Sequence, residues 1–214
     1  MKVIEKTIRN LKKNNMAAYF CETKEKAVEQ VKELINEGDT IAHGGSVTLE
    51  ESGVLDMVRN GNYNLLSRNN CKDRDEVEKM YRDSYFADVY LSSTNALTKH
   101  GALFNVDGNS NRVSAILFGP KSVIIVCGYN KIVEDLDQAV LRVKKVAAPK
   151  NTRRLDCQTY CNETAECLAP GADASFMCDG CRSQDRICCN YVVTAQQRNK
   201  DRIKVIIVGE ELGY

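Results

Sequence analysis

The sequence DTIAHGGSVTLEESGVLDMVR, residues 39–59, joins a short apolar strand to an amphipathic helix through a glycine turn. The strand TIA runs into His43-Gly44-Gly45-Ser46, after which valine and leucine recur at helical spacing. Two glycines allow backbone conformations that a Cβ forbids, and Ser46 or Thr48 can cap the helix. The stretch therefore predicts free amides that suit a phosphate, a carboxylate or an enolate oxygen, although a tight turn alone would also have this sequence.

Strand and helix patterns alternate on both sides of this stretch. Apolar runs predict strands over residues 16–21, 63–66, 89–91, 102–106 and 123–126. Helical spacing predicts helices over residues 2–14, 23–37, 73–86 and 131–146, the last with a solvated basic face and an end at Pro149. Such alternation predicts an α/β fold with a mostly parallel sheet, which binds ligands beyond the carboxyl ends of its strands.

Length and charge restrict the function classes. The 214 residues, 43% of them hydrophobic, suffice to form a full hydrophobic core. We expect a body over residues 1–150, a cysteine-rich segment over 151–191 and a final strand within 192–214 that returns to the body. Thirty basic and 29 acidic residues give a net charge of +1, which argues against nucleic acid and anionic membranes as partners. Without a long apolar run or a signal-peptide pattern, the sequence predicts a cytoplasmic protein.

Polar side chains follow two of the predicted strands. Ser92-Ser93-Thr94-Asn95 ends one, and Asp107-Gly108-Asn109-Ser110-Asn111-Arg112 ends another. Asn, Asp and Gly favour turns, so a turn is the simpler interpretation of the second cluster. The functional interpretation is that Asn95, Asn105, Asn109 and Arg112 orient a small acid, because a guanidinium pairs with a carboxylate in a forked geometry.

Candidate acids and bases lie near the same strand ends. Glu50 lies close to the glycine turn, although acidic residues in a first helical turn are also favoured by the helix dipole. The two histidines are His43, before the turn, and His100. Either suits proton transfer near neutral pH or a structural hydrogen bond. Glu50 and His100 are the predicted catalytic residues.

Seven of the ten cysteines lie between Cys157 and Cys189, in a segment poor in large aliphatic residues. Cys178-x2-Cys181 places two thiolates on one turn, and two more cysteines complete a zinc site or an iron–sulfur cluster. The segment has no histidine, so these metals and a metal-free thiol–disulfide function all remain open. Because little else can order the segment, we expect metal ligation to fasten it near residues 204–209.

Four stretches together resemble the LUD domain, the lactate-utilisation family: GGSVTLEESG, DVYLSSTNALTKHGALFNVDGNSNR, LFGPKSVIIVCGYNKIVEDLDQAVLRVKKVAAP and RIKVIIVGEELGY. The chain is most similar to short, free-standing members with a cysteine-rich insertion. The resemblance implies a three-layer α/β fold like that of the ribose-5-phosphate isomerase, glucosamine-6-phosphate isomerase and CoA-transferase group. In that group the loop equivalent to Gly44-Gly45-Ser46 cradles phosphate or CoA.

The resemblance also implies a function and a ligand set. Related proteins act in lactate oxidation beside iron–sulfur partner proteins, so we expect an enzyme or redox-enzyme subunit, an oxidoreductase of 2-hydroxy acids that binds a small anion. The alternative is an accessory protein that senses metal or redox state without catalysis. The matching cysteines are Cys161, Cys167, Cys181 and Cys188, with Cys178 as an alternate because residues 168–177 contain an insertion. An iron–sulfur cluster is the favoured cofactor, with zinc as the alternative.

Overall fold

The computed structural model describes residues 1–171 and 173–214. Its ten strands are β1 (Ala17–Cys21), β2 (Thr40–His43), β3 (Asn64–Leu66), β4 (Val89–Ser92), β5 (Ala96–Thr98), β6 (Leu103–Asp107), β7 (Ser122–Gly128), β8 (Ile132–Val133), β9 (Asn190–Thr194) and β10 (Ile203–Val208). Six of them form the central sheet in the order β1-β10-β7-β4-β2-β3, and all of its pairings are parallel. The predicted α/β fold with a mostly parallel sheet is confirmed.

The helices are α1 (Lys2–Lys13), α2 (Lys24–Glu33), α3 (Val47–Glu51), α4 (Val54–Asn60), α5 (Arg74–Asp83), α6 (Asn111–Phe118), α7 (Leu136–Arg142), α8 (Ala148–Leu155) and α9 (Tyr160–Thr164). Helices lie on both faces of the central sheet. On one face Leu11 of α1 and Ile116 of α6 pack against Val205 and Ile207 of β10. On the other face α2 and α4 pack against the alternate residues of that strand. A strand buried on both faces is typical of parallel sheets.

A second sheet, in the order β8-β5-β6-β9, continues from the carboxyl end of β4. Strand β6 pairs antiparallel with both β5 and β9. The pairing of β9 with β6 joins the end of the cysteine-rich segment to the body before the chain enters β10. Sequence analysis missed this sheet apart from β6, because β5 and β8 have only three and two residues.

The prediction of one helix over residues 131–146 that ends at Pro149 is wrong. After β8, α7 begins at Leu136 and continues through a π-helical turn, Val143–Ala147, into α8. Pro149 is the second residue of α8, directly after the π turn, and the helix continues past it to Leu155. The wider π turn directs Lys144 inward: its side chain is buried and its Nζ donates to the carbonyl of Asp179 at 2.6 Å. Lys144 is therefore not part of a solvated face.

In the part of the chain that the structure describes, no helix has both the length and the apolar character that crossing a membrane requires.

Candidate functional site

A cleft of about 220 Å³ lies at the carboxyl ends of β2, β4 and β7. Strand β2 leads outward to β3, while β4 leads toward β7, so the chain leaves these two neighbouring strands in opposite directions. In parallel α/β sheets ligands bind in the crevice at such a switch point. The cleft is therefore in the position that the strand order predicts for a ligand site.

The glycine turn after β2 forms one wall of the cleft. Gly45, Ser46 and Thr48 line it, and the Ser46 hydroxyl caps α3 by accepting from the amide of Leu49 at 3.3 Å. The Gly44 amide donates to the carbonyl of Leu91 at 3.0 Å and is not free. Among the described residues, no protein acceptor takes the amides of Gly45 and Ser46. These two amides are available to a ligand.

Arg112, at the start of α6, links the segments at the base of the cleft through its hydrogen bonds. Its guanidinium donates to the side-chain oxygens of Asn105 at 2.8 Å and Asn95 at 3.0 Å. It also donates to the carbonyls of Val106 at 2.8 Å and Ser93 at 3.2 Å. Only 13% of its side chain is exposed. Arg112 thus joins the end of β4 to β6, and its hydrogen bonds are used by the protein itself.

Lys131 is the functional candidate that the sequence analysis missed. It lies three residues beyond the end of β7, at the base of the cleft, with 3% of its surface exposed. Its Nζ donates to the hydroxyls of Thr48 at 2.7 Å and Ser93 at 3.1 Å. Within the described chain no carboxylate forms an ion pair with it. Burial disfavours the ammonium and lowers the pKa of Lys131 to about 7.

Further cationic side chains surround the cleft. Arg68 and Arg154 lie at the exposed rim, and the Arg154 Nε donates to the hydroxyl of Tyr214 at 2.9 Å. Asp107 is the one acidic side chain among the described lining residues. The three guanidiniums of Arg68, Arg112 and Arg154 outnumber this one acidic side chain, so the cleft favours a small anion.

A second, smaller cavity brings together the four cysteines that were predicted as metal ligands. It is lined by Val143, Lys144, Ala148, Tyr160, Cys161, Cys167, Leu168, Cys181 and Cys188. This cavity lies against the π turn and α8, not beside β10 as predicted, because the segment packs on the core of the second sheet through Met177 and Cys188.

Hydrogen-bond donors reach three of these four sulfurs. The hydroxyl of Thr159 lies 3.5 Å from the Cys161 sulfur, and the amide of Ala169 donates to the Cys167 sulfur at 3.5 Å. The Arg186 Nε donates to the Cys188 sulfur at 3.2 Å. Such bonds stabilise thiolates and are typical of the surroundings of metal-bound cysteine. Within residues 1–171 and 173–214, however, no three His, Cys, Asp or Glu side chains form a group able to hold a metal ion as they stand.

A family model for the LUD domain matches residues 4–208. The chain belongs to the LUD domain family. Among solved structures, its fold is similar to that in the crystal structure of a DUF162 family protein from Deinococcus radiodurans at 1.70 Å resolution, with a TM-score of 0.53. The two chains are 10% identical, and the match covers 97% of this chain and 96% of that one, so the likeness shows the fold alone. No curated protein matches the chain.

The structure of this LUD domain separates the predicted ligand-binding residues into two groups. Those that line the cleft are Gly45, Ser46, Thr48, Asn95, Asn109 and Arg112. Gly44 and Asn105 are buried beneath it. Gly44 and Asn105 position Arg112: Gly44 lies against the aliphatic part of the Arg112 side chain, and Asn105 accepts from its guanidinium.

The two predicted catalytic residues lie outside the cleft lining. Glu50 accepts from Arg59 at 2.6 and 2.8 Å, which holds the pKa of its carboxyl below the usual value, and it faces an adjacent cavity together with His43. Desolvation lowers the pKa of His43. His100 is exposed at a turn that α1 contacts, where its carbonyl accepts from Asn14. Lys131 therefore lines the cleft, whereas neither predicted residue does.

The remaining cysteines differ in their surroundings. Cys21 and Cys127 are buried in strands, and burial raises the pKa of Cys127 to about 11. Cys178, the alternate ligand, is exposed and lies outside the lining of the cysteine cavity. Cys71 is half-buried in the loop before α5, far along the chain from that cavity.

Replacing Gly44 with alanine is expected to lower the free energy of unfolding by about 1–3 kcal/mol. An added Cβ would lie 2.7 Å from Cδ and 2.8 Å from Cγ of Arg112, whose guanidinium is fixed by four hydrogen bonds. The matched control is Gly45→Ala, where an added Cβ meets no atom within 4 Å. Urea denaturation of the two variants measures the difference, and equal stability would show that Arg112 has room to move.

Proposed function

We propose that this LUD domain binds a small carboxylate or phosphorylated acid, of the 2-hydroxy or 2-oxo type, in the cleft beside Lys131. In this proposal it acts as an enzyme or redox-enzyme subunit in the use of lactate. The observation that carries the proposal is the buried amine of Lys131, placed where the loops after β2, β4 and β7 meet. A buried lysine without a carboxylate partner is costly to folding, and such groups concentrate at functional sites.

The size and charge of the cleft support a small acid. A volume of about 220 Å³ lies below the range of pockets for drug-sized ligands, and so suits a molecule of a few heavy atoms. The amides of Gly45 and Ser46 and the cations at the rim favour its carboxylate or phosphate. The hydroxyls of Thr48 and Ser93 hold the Lys131 amine against the bound molecule.

We also propose an iron–sulfur cluster held by Cys161, Cys167, Cys181 and Cys188. The donor set fits, because four thiols line one cavity and the sulfurs of Cys161, Cys167 and Cys188 have a hydroxyl, an amide and a guanidinium beside them. A zinc ion, the alternative, needs four sulfurs about 2.3 Å from one point, whereas a cluster binds each thiolate through its own iron and spaces them more widely. When bound, such a cluster supplies electron transfer to a redox partner protein.

A sensing function is the second candidate. The chain connection between the cleft and the cysteine cavity favours it. Ile187 lines the cleft and the next residue, Cys188, lines the cysteine cavity. The backbone at Ile187 packs on Gly108, and the amide of Cys189 donates to the carbonyl of Asp107. A change at the cysteines therefore moves residues that contact a ligand, whether or not the ligand is transformed.

Calorimetric titration with L-lactate, pyruvate and phosphoenolpyruvate tests the proposed function. We expect at least one acid to bind the wild type, and Lys131→Met to weaken its affinity about tenfold or more. The matched control is Lys121→Met, which removes an exposed lysine just before β7. Absence of binding, or equal affinity in the two variants, would refute the proposal. Anaerobic assay of the bound acid with an artificial electron acceptor then separates the two candidates, because a sensor binds without turnover.

A further inference from the structure

We propose that Lys131 forms a covalent imine with the carbonyl carbon of a 2-oxo acid in the cleft. The inference rests on the proposed function and names the substrate class of the same site. It assigns to Lys131 a nucleophilic role, beyond attraction of an anion.

The hydrogen bonds of Lys131 leave its lone pair available. A neutral amine has two N–H donors and one lone pair. The two donors are directed to the hydroxyl oxygens of Thr48 and Ser93, at 2.7 and 3.1 Å. The Thr48 hydroxyl gives its own hydrogen to the carbonyl of Leu212 at 3.3 Å, so its oxygen accepts from the amine. The lone pair of Nζ therefore remains available to a ligand in the cleft.

The surroundings favour the neutral amine over the ammonium. Burial is the largest effect, and the positive charges of Arg142 and Arg112 act in the same direction. Glu51 and Cys127 oppose them, but the Glu51 carboxylate already accepts from the amide of Gly213 at 2.5 Å. The resulting pKa of about 7 leaves a large fraction of Lys131 unprotonated at neutral pH. Desolvated lysines of this kind are the ones that form imines with carbonyl substrates.

The cleft also positions the carbonyl. In a 2-oxo acid the carbonyl carbon is bonded directly to the carboxylate. The free amides of Gly45 and Ser46 and the rim arginines, Arg68 and Arg154, bind that carboxylate on the open side of the cleft. Lys131 lies at the base, so an anchored carboxylate directs the neighbouring carbonyl carbon toward Nζ.

The step balances without an oxidant or a reductant. The lone pair of Nζ forms a bond to the carbonyl carbon, and the carbonyl oxygen takes up a proton to give a carbinolamine. Nζ gives up its two protons in turn, which balance the one already taken by the oxygen and a second that the hydroxyl group takes as it leaves as water, and the C=N bond forms. The hydroxyl of Ser93, 3.1 Å from Nζ, is placed to pass these protons.

Reductive trapping with pyruvate and sodium cyanoborohydride tests the inference. The full-length protein is incubated near pH 7.5 and its intact mass is measured, followed by peptide mapping. We expect one adduct per chain at Lys131, with the mass of pyruvate less one oxygen atom. Lys131→Arg, which keeps a cation but cannot form an imine, should lose the adduct. Lys121→Arg, changed at an exposed lysine, should retain it.

The outcomes distinguish this inference from the proposed function. If pyruvate binds by calorimetry but Lys131 carries no adduct, or if exposed lysines are labelled to the same extent, the imine is refuted and acid binding stands. Binding of lactate without binding of pyruvate also refutes the imine alone. If no acid of the panel binds, the proposed function and the imine fail together.

Discussion

Replacing Arg112 with methionine is expected to lower the free energy of unfolding by about 3–5 kcal/mol, one of the two largest effects that we predict. The guanidinium donates to two side-chain oxygens and two backbone carbonyls at the base of the cleft. Methionine would leave the buried side-chain oxygen of Asn105 without its donor, while the Asn95 oxygen would keep only the amide of Val106 and the Ser93 carbonyl only the hydroxyl of Ser92. It would also remove the cation that lies 3.8 Å from the Asp107 carboxylate, a side chain that is only 11% exposed. Asn105 is fully buried and its side-chain NH2 already lacks a partner, so it has little freedom to compensate. Urea denaturation monitored by circular dichroism measures the change.

The control for this prediction is Arg82→Met on α5. Its side chain is 74% exposed and its ion pair with Glu78 is a surface pair, so we expect a change within about 0.5 kcal/mol. Similar loss of stability in the two variants would show that Arg112 does not hold the cleft together.

Replacing Cys181 with serine is expected to abolish most metal binding and to loosen the cysteine-rich segment. Structural metal sites contribute on the order of 10 kcal/mol of apparent folding free energy. Leu155 and Leu168 of this segment are 40% and 54% exposed, so apolar burial does little to replace that contribution. Iron, zinc and sulfide analysis of anaerobically purified protein, with its visible spectrum, measures the loss.

Cys71→Ser is the matched control, because Cys71 lies in a different loop and its sulfur contacts the carbonyl of Ser67. Hydrogen exchange adds a second measurement: amides of residues 156–189 should exchange faster in Cys181→Ser, while those of β7 and β10 stay protected. Unchanged metal content in Cys181→Ser, or equal loss in both variants, would refute the assignment.

The fold was largely predictable from the sequence because its central strands are long apolar runs between periodic helices. β7 and β10 are buried on both faces and show no alternation, which identifies a parallel sheet. The second sheet was not predictable, since β5 and β8 are too short for a pattern and β9 pairs with a strand more than 80 residues away. Tertiary pairing, not local preference, defines these strands.

The candidate site was predictable in position but not in its central group. The turn at Gly45 and Ser46 follows from its glycines, and the four cysteines of the cavity were identified through the family resemblance. The residues after Lys131 repeat at helical spacing, which predicts that Lys131 is the first residue of a helix. The sequence feature that could have identified Lys131 as a site residue is its position three residues after a buried central strand. Likewise, no sequence pattern shows that Arg112 is bound by Asn95 and Asn105.

The most direct test of the account is the ionisation of Lys131 in the intact protein, measured by competitive acetylation and mass spectrometry from pH 5 to pH 11. Only the neutral amine reacts, and burial favours that form, so we expect the acetylation of Lys131 to have its midpoint near pH 7. A saturating acid ligand should suppress the labelling of Lys131. A midpoint near the ordinary lysine value of 10.5, with no protection by any acid, would contradict the account.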